Sequence, residues 1–301
     1  MTRVSAVGGS SNRASSQRGV ALLLVMWLVM LLAALIGAFA LIARTEHLQG
    51  RVLVRGLVAE NAARAGLEYA LTRVAASDPR QQWLPDGRPH RWRYGNADVE
   101  VRIVDENGKI DLNQADITLL TEFIRRFDIE PQQAAQLAAA ILDWRDPDSL
   151  SQPAGGGEDA DYASAGRPYG AKDAEFESVA ELEQVLGFTP ELYARMAPHL
   201  TVFSGRARPD PAFASAEVLD AMGMDGADVV AQRQRWNPDS GLPPPTLPDG
   251  GALVGGSSGT YSIESRARLA DRREAVLRTV VRAGGAVPGM AYTPLRWQVG
   301  D

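Results

Sequence analysis

Six carboxylates crowd one short stretch of this 301-residue chain. Asp143, Asp146, Asp148, Glu158, Asp159 and Asp161 fall within nineteen positions of "LDWRDPDSLSQPAGGGEDADYASAGRPY", with Arg145 as the only cation among them. Pro147, Pro153 and Gly155-Gly156-Gly157 bar regular structure through the middle, so a loop able to fold back on itself is expected. Carboxylates brought together without a cation repel one another. Calcium relieves that repulsion, accepting six to eight oxygen ligands in a flexible geometry. The spacing is not that of an EF-hand, because Asp146-Pro147-Asp148 runs into Ser149 and Leu150 with no glycine at the sixth loop position. A simply solvated acidic loop also fits the composition. So does a glycosidase-like acid/base pair, although only Trp144, Tyr162 and Tyr169 offer an aromatic surface nearby.

Other chemistries are poorly served. The chain has no cysteine, which removes disulfides, thiolate metal sites and thiol nucleophiles together. Its three histidines, His47, His90 and His199, form no HExxH pair, and neither a GxSxG elbow nor a GxxxxGK[ST] loop occurs. The net charge of -6 and a pI near 5.3 oppose nucleic-acid binding, whose main affinity term comes from Lys and Arg on phosphates. These features describe an assembly or binding protein rather than an enzyme.

The elements that must position the acidic loop are helices. "DLNQADITLLTEFIRRF" offers Asn113 as an N-cap, with Leu119, Leu120, Phe123, Ile124 and Phe127 on one face. "PQQAAQLAAAILDWRD" opens on proline and closes at Trp144, at the start of the loop. "SVAELEQVLG", "PELYARMAPHL" and "SAEVLDAMGMDGADVVAQRQRW" each carry cap or proline signals for further helices. The helical block therefore spans 113–236, with the acidic loop at 143–162. Its units echo helix-hairpin-helix patterns, which would suit a membrane-tethered DNA receptor. The turns "FDIEPQ", "GFTPEL" and "GMDGAD" lack the Gly-x-Gly that admits a phosphate, and their acids would repel it.

Strand signals flank the block. Val99, Val101 and Ile103 alternate with charged residues, and Asn107-Gly108 is a strong turn dipeptide before Lys109 to Leu112. First strands are thus expected over 90–112. Residues 237–259, rich in Pro, Gly and Ser, have the composition of a flexible linker. Final strands are expected over 260–301, carried by Tyr261, Ile263 and Ser265, by Val276, Leu277, Val280 and Val281 after the Asp271-Arg272-Arg273 turn, and by Leu295, Trp297 and Val299. These signals give an α+β fold, in which strands before and after the helices share one antiparallel sheet.

The N-terminal segment is apolar from Val20 to Ala43, long enough at ~1.5 Å per residue to cross a ~30 Å hydrocarbon core. Arg13 and Arg18 precede it and would stay cytoplasmic, sending the bulk of the chain across the membrane. An ordinary exported binding protein, cut after Ala40 at the small-x-small site Ala38-Phe39-Ala40, is the rival reading. Residues 44–78 continue without a break signal until Asp78-Pro79. Leu53, Leu57, Ala63, Leu67, Ala70, Leu71 and Val74 form one apolar stripe. One helix with a membrane half and an amphipathic docking half is the simplest reading.

Arg18-Gly19 followed by Val20-Ala21-Leu22-Leu23-Leu24 resembles the leader junction of type IV pilins and type II secretion pseudopilins. That resemblance implies a leader over 1–19, cut by prepilin peptidase between Gly19 and Val20, with methylation of the new N-terminus. Family members usually carry glutamate at the fifth mature position, which here is Leu24. A subunit with nothing above it would leave that carboxylate unpaired in a dry core, so its loss suggests a tip subunit. In this the chain resembles the minor pseudopilins of the K type. The resemblance implies a pseudopilin fold, a long N-terminal helix packed on a small antiparallel sheet, with a large inserted α-helical domain. It also implies a single-pass inner-membrane protein with a periplasmic globular part. Its partners would be the minor pseudopilins I and J, other pseudopilins and the inner-membrane secretion platform, with no nucleic acid. K-type proteins carry an Asp-Trp-x-Asp-x-Asp stretch, then Gly-x-Glu-Asp and Tyr, and bind calcium there. The matching residues are Asp143, Trp144, Asp146, Asp148, Gly156 or Gly157, Glu158, Asp159 and Tyr162, and the ligands expected from it are Asp146, Asp148, Glu158 and Asp159 first, then Asp143 and Asp161.

Overall fold

A computed structural model describes residues 16–78, 80–237, 240–284 and 291–300. Residues 1–15 of the expected leader lie outside the described residues, as do 79, 238–239, 285–290 and 301. Two compact units are present, divided between Leu57 and Val58. Helix α1, Ser16–Val74, supplies the described part of the first unit and opens the second. Within it, Val20–Leu41 is long and apolar enough to cross a membrane, and none of that window is buried.

In the second unit, the end of α1 lies on a five-stranded antiparallel sheet. The strands are β1 (Asp86–Tyr94), β2 (Ala97–Asp105), β5 (Thr260–Leu269), β6 (Glu274–Ala283) and β7 (Tyr292–Val299), paired in that order. The chain leaves the sheet after β2 and returns to pair β5 directly against it, so the helical block is an insertion between neighbouring strands. The expected α+β fold, a helix on an antiparallel sheet with inserted helices, is the one observed.

Register explains the inner face. Val99 pairs Ala267, Val101 pairs Ser265 and Ile103 pairs Ile263, so strand periodicity aims these side chains at α1. They bury against Ala62, Ala63, Leu67, Ala70 and Val74, with Leu71 partly covered. The upper end of the expected stripe differs. Leu57 is exposed, Ala59 is buried in its place, and the side chain of Leu53 lies outside the described set. Gly66 marks the closest approach: a Cβ there would sit 2.1 Å from Ser265 Oγ and 2.9 Å from Val99 Cγ1.

The strand expectations need two corrections. The hairpin before the insertion joins β1 to β2 and turns at Gly95, whose φ of 55° suits glycine. Asn107-Gly108 is not a hairpin turn but part of a short 3-10 turn, Glu106–Gly108, capped by the Asp105 carboxylate accepting from the Asn107 N–H at 2.9 Å. The next segment, β3 (Ile110–Asp111), leaves the main sheet and pairs in parallel with β4 (Leu200–Thr201). Gly108 is dictated here by crowding, since a Cβ would press on the Phe213 backbone.

The insertion has its own core. Helices α2 (Ile117–Arg125) and α3 (Pro131–Arg145) bury Leu120, Phe123, Ile124 and Ile141. Asp116, not Asn113, caps α2, accepting from the Leu119 N–H at 2.8 Å. Asn113 instead brackets Phe176, donating to its carbonyl and accepting from its N–H. "SVAELEQVLG" yields only a 3-10 turn, Val179–Glu183, whereas α5 (Pro190–Met196), α6 (Ala216–Ala221) and α7 (Gly226–Arg235) form as expected. Helix α4 (Asp159–Ser164) falls within the stretch expected to be loop. The stretch with a linker's composition is irregular; it holds a Thr246–Ala252 bridge and buries Leu253 in the insertion's core.

Two buried polar joints tie insertion to sheet. Glu106 accepts from Lys109 Nζ at 2.7 Å, from Ser262 Oγ of β5 at 2.5 Å, and from the Thr201 hydroxyl of β4. Asp86 of β1 takes a bidentate bond from Arg88, and Arg233 of α7 lies 3.7 Å away. Arg233 also donates to the Pro211 and Ala214 carbonyls.

Candidate metal centre

Helix α3 ends on the site. Asp143 and Trp144 occupy its last turn, and Asp146 is its C-cap. The loop then folds back to Glu158, the N-cap of α4, as its prolines and glycines imply. One carboxylate oxygen from each of Asp143, Asp146 and Glu158 lies within 4.8 Å of the others, with Asp143 and Glu158 buried. The backbone holds Asp143 in place: its two oxygens accept from the Gly157 N–H at 2.8 Å and the Gln152 N–H at 3.3 Å. Tyr162 packs its ring 6.0 Å from that of Trp144 and accepts from the Leu186 N–H at 3.0 Å, closing the floor.

Two of the oxygens are orphans. Asp146 Oδ1 and Glu158 Oε1 are buried and have no hydrogen-bond partner. Leaving such a group unmatched is expensive, and buried polar atoms in folded proteins are paired in all but a few cases. Electrostatics show the same strain. Burial, then the charge of Asp143 and Asp146, pushes the Glu158 carboxyl up to about 7. Burial also raises Asp143 and Asp146, the latter helped by Asp148. The cation that the sequence supplies lowers Asp146 through its charge but forms no ion pair with the three carboxylates. Arg145 turns away and donates to the Leu112 and Ala115 carbonyls. An all-oxygen donor set of converging carboxylates suits a hard divalent ion, and the irregular loop geometry suits calcium better than octahedral magnesium.

Of the six expected ligands, three are brought together. Asp148 is exposed and accepts from the Leu150 N–H at 2.9 Å, although its charge bears on Asp146 and Glu158. Asp161 accepts from the Glu158 N–H at 3.1 Å and so serves the start of α4. Asp159 is exposed and abuts Gly170, where a Cβ would fall 1.7 Å from its Oδ1. One residue escapes a reading of the sequence: Asp173, outside the acidic stretch, adds its charge to Glu158 and Asp146. Of the two glycines matched to the motif, Gly156 is the one whose Cβ would enter the Asp143 carboxylate.

An apolar N-terminal helix, a helix-backed antiparallel sheet and a helical insertion between neighbouring strands define an α+β fold with an added helical domain. The same fold occurs in a chain of the crystal structure of the GspK-GspI-GspJ complex from the enterotoxigenic Escherichia coli type 2 secretion system. The TM-score is 0.55 at 18% identity, over 86% of this chain and 99% of that one. More particularly, the chain resembles protein K of the type II secretion system: residues 101–205 match the model of that family. The whole candidate metal centre lies inside the matched segment. Curated relatives include type II secretion system protein K of Aeromonas hydrophila, 29% identical over 177 residues, and of Klebsiella pneumoniae, 27% identical over 206 residues. These alignments cover 53% and 61% of this chain and 54% and 62% of the relatives' lengths. Among the described residues one helical segment, Val20–Leu41, is long and apolar enough to cross a membrane, and beside this match it fits a single-pass inner-membrane anchor.

Proposed function

We propose that this chain is a minor pseudopilin at the tip of a type II secretion pseudopilus, initiating assembly and limiting filament length. Its globular part is periplasmic, and prepilin peptidase removes the leader between Gly19 and Val20. The observation that carries the reading is the protein K domain itself, inserted between β2 and β5 of a helix-backed sheet. Leu24, where a filament-body subunit would have glutamate, supports a position with no subunit above. The similarity to a chain from a GspK-GspI-GspJ assembly supports the minor pseudopilins I and J as partners. Calcium held by Asp143, Asp146 and Glu158 would crosslink α3 to α4 and neutralise the buried charge; it has a structural role and takes part in no reaction.

The mature N-terminus tests the reading. Expressed with a prepilin peptidase, the chain is expected to begin at N-methylated Val20. A mature protein starting at Leu41 would sink it.

A further inference from the structure

The face of the sheet turned away from α1 carries a grid of charge. Its residues alternate along the strands with the buried Val99, Val101 and Ile103, and register sets them in cross-strand rows. Arg93, Asp98, Arg268 and Glu274 pair across one row. Arg91, Glu100 and Arg266 form the next, and Arg102, Glu264 and Arg278 a third. The signs alternate, yet six arginines stand among four carboxylates. The whole chain carries a net charge of -6, so this excess of arginine is local to the face. Two of the carboxylates are each shared by two arginines. Glu100 accepts from Arg91 at 2.7 Å and Arg102 at 3.2 Å, and Glu274 from Arg268 at 3.0 Å and Arg266 at 2.6 Å. These bonds, from Arg91 first and Arg268 first, hold both carboxyls below the usual glutamate range. The acids are thus fully engaged while the arginines are not. A guanidinium has five N–H donors, and Arg91 meets Glu100 through Nε, leaving its terminal nitrogens free among the described residues.

At one end of the grid Arg91, Arg93, Arg266 and Arg268 surround a groove of about 570 Å³, with Asp98 and Glu100 as its acids and Trp92 in its wall. The exposed ring of Tyr94 stands 5.6 Å from that of Trp92. The insertion meets this face at the start of β5, where Ser262 bonds to Glu106 and Lys109, and the groove lies toward the strand's other end. We infer that the groove docks an acidic segment of a partner protein, whose carboxylates bond to the arginines of β1 and β5. Arginine, tryptophan and tyrosine are the residues that carry most binding energy between proteins. A guanidinium fork matches a carboxylate with two parallel hydrogen bonds. The alternation of sign argues for a protein over a dense polyanion. A polymer charged at every unit would be repelled at Asp98 and Glu100, whereas a protein segment can set its acids on the arginines and other side chains between them. Stability of the sheet alone is a weak reason for the grid, because exposed ion pairs contribute little, and Arg91 and Arg93 are 78% and 77% exposed. The docking holds whether or not the chain heads a filament.

The test uses the full chain purified in an uncharged detergent and a fluorescent peptide of alternating glutamate and serine, followed by polarisation. The parent is expected to bind the peptide, and more weakly as salt rises. Arg91→Gln with Arg268→Gln is expected to weaken binding about tenfold, and Asp98→Asn to tighten it about threefold by removing a repelling acid. Arg125→Gln with Arg195→Gln removes the same charge from the insertion and should change binding little. These opposite signs separate docking from a ladder that only stabilises the sheet, in which losing either partner of a pair lowers the melting temperature and leaves peptide binding alone. A parent that does not bind the peptide overturns the inference, and so does binding indifferent to the Arg91 and Arg268 changes. Heparin bound more tightly than the peptide, and lost in the same double variant, would give the face to a dense polyanion and overturn the protein partner.

Discussion

Gly156 stands so close to Asp143 that a Cβ on it would lie 1.6 Å from Oδ2. The glycine is therefore what lets the loop close over a buried carboxylate, and Asp143 cannot keep its bonds to Gly157 and Gln152 beside any side chain there. Gly156→Ala is expected to displace Asp143 and to destabilise the domain by about 1–3 kcal/mol, the usual range for overpacking a dense site. Its sharper signature is the calcium-induced rise in melting temperature, which should shrink markedly. An alanine variant with the parent's full calcium response would show that the loop closes differently.

The orphaned Glu158 sets a pH dependence. In the folded, metal-free chain it keeps its proton up to about pH 7, whereas an ordinary glutamate loses it near 4.5. The folded state thus holds more protons than the unfolded state between these values, and stability falls as pH rises through that window. Below about pH 4.5 this contribution is fully favourable; above about 7 it is gone. Urea unfolding in EDTA at a series of pH values should show the decline, and Glu158→Gln should flatten it. In calcium the trend reverses, because the ion requires the charged form and its affinity climbs over the same range. A metal-free stability that rises between about pH 5 and 7 would contradict this account of Glu158.

How far the sequence disclosed these arrangements depended on what each signal physically encodes. Alternation at Val99, Val101 and Ile103 encodes a buried strand face, and that face is where the alternation puts it. Asn107-Gly108 encodes only a bend. Whether the bend returns the strand to its own sheet was decided by Glu106, which is drawn inward by Lys109, Thr201 and Ser262. The last two of these come from distant parts of the chain. The acidic loop advertised its chemistry by density of charge, yet density could not separate Asp143, Asp146 and Glu158 from their neighbours. That separation came from helix ends. Asp146 and Glu158 are cap residues at facing termini, whereas Asp161 serves the helix backbone and Asp148 and Asp159 remain in solvent. Asp173 and Arg233 were invisible for the same reason, since tertiary partners alone give them meaning.

Arg233 illustrates the energetic side. Its guanidinium is buried and has Asp86 as its carboxylate partner, an attachment of the last inserted helix to the first strand. Asp86→Ala would leave that charge uncompensated beside Arg88, and a loss of about 3–5 kcal/mol is expected from chemical denaturation. Replacing both ends, Asp86→Leu with Arg233→Met, should recover much of it, because the desolvation cost disappears with the charge. A double variant as unstable as the single one would mean that the Arg233 bonds to Pro211 and Ala214, rather than its charge, hold the helix.

Gly66 concerns the seat of α1 on its sheet. Glycine inside a helix ordinarily costs about 1 kcal/mol against alanine, so removing it would usually stabilise. Here the direction reverses. The Cβ of alanine would meet Ser265 Oγ at 2.1 Å and Val99 at 2.9 Å, and both belong to strands locked on either side by their neighbours. Ser265 can rotate its hydroxyl, which is buried without a partner, but Val99 has little room to yield. Gly66→Ala is expected to lower stability slightly, and Gly66→Leu by about 1–3 kcal/mol as the helix is levered off β2 and β5. Gly66→Ala combined with Ser265→Ala separates the two contacts: it should regain part of the loss if the hydroxyl is the obstacle. A Gly66→Leu variant as stable as the parent would show that the helix does not approach the sheet this closely.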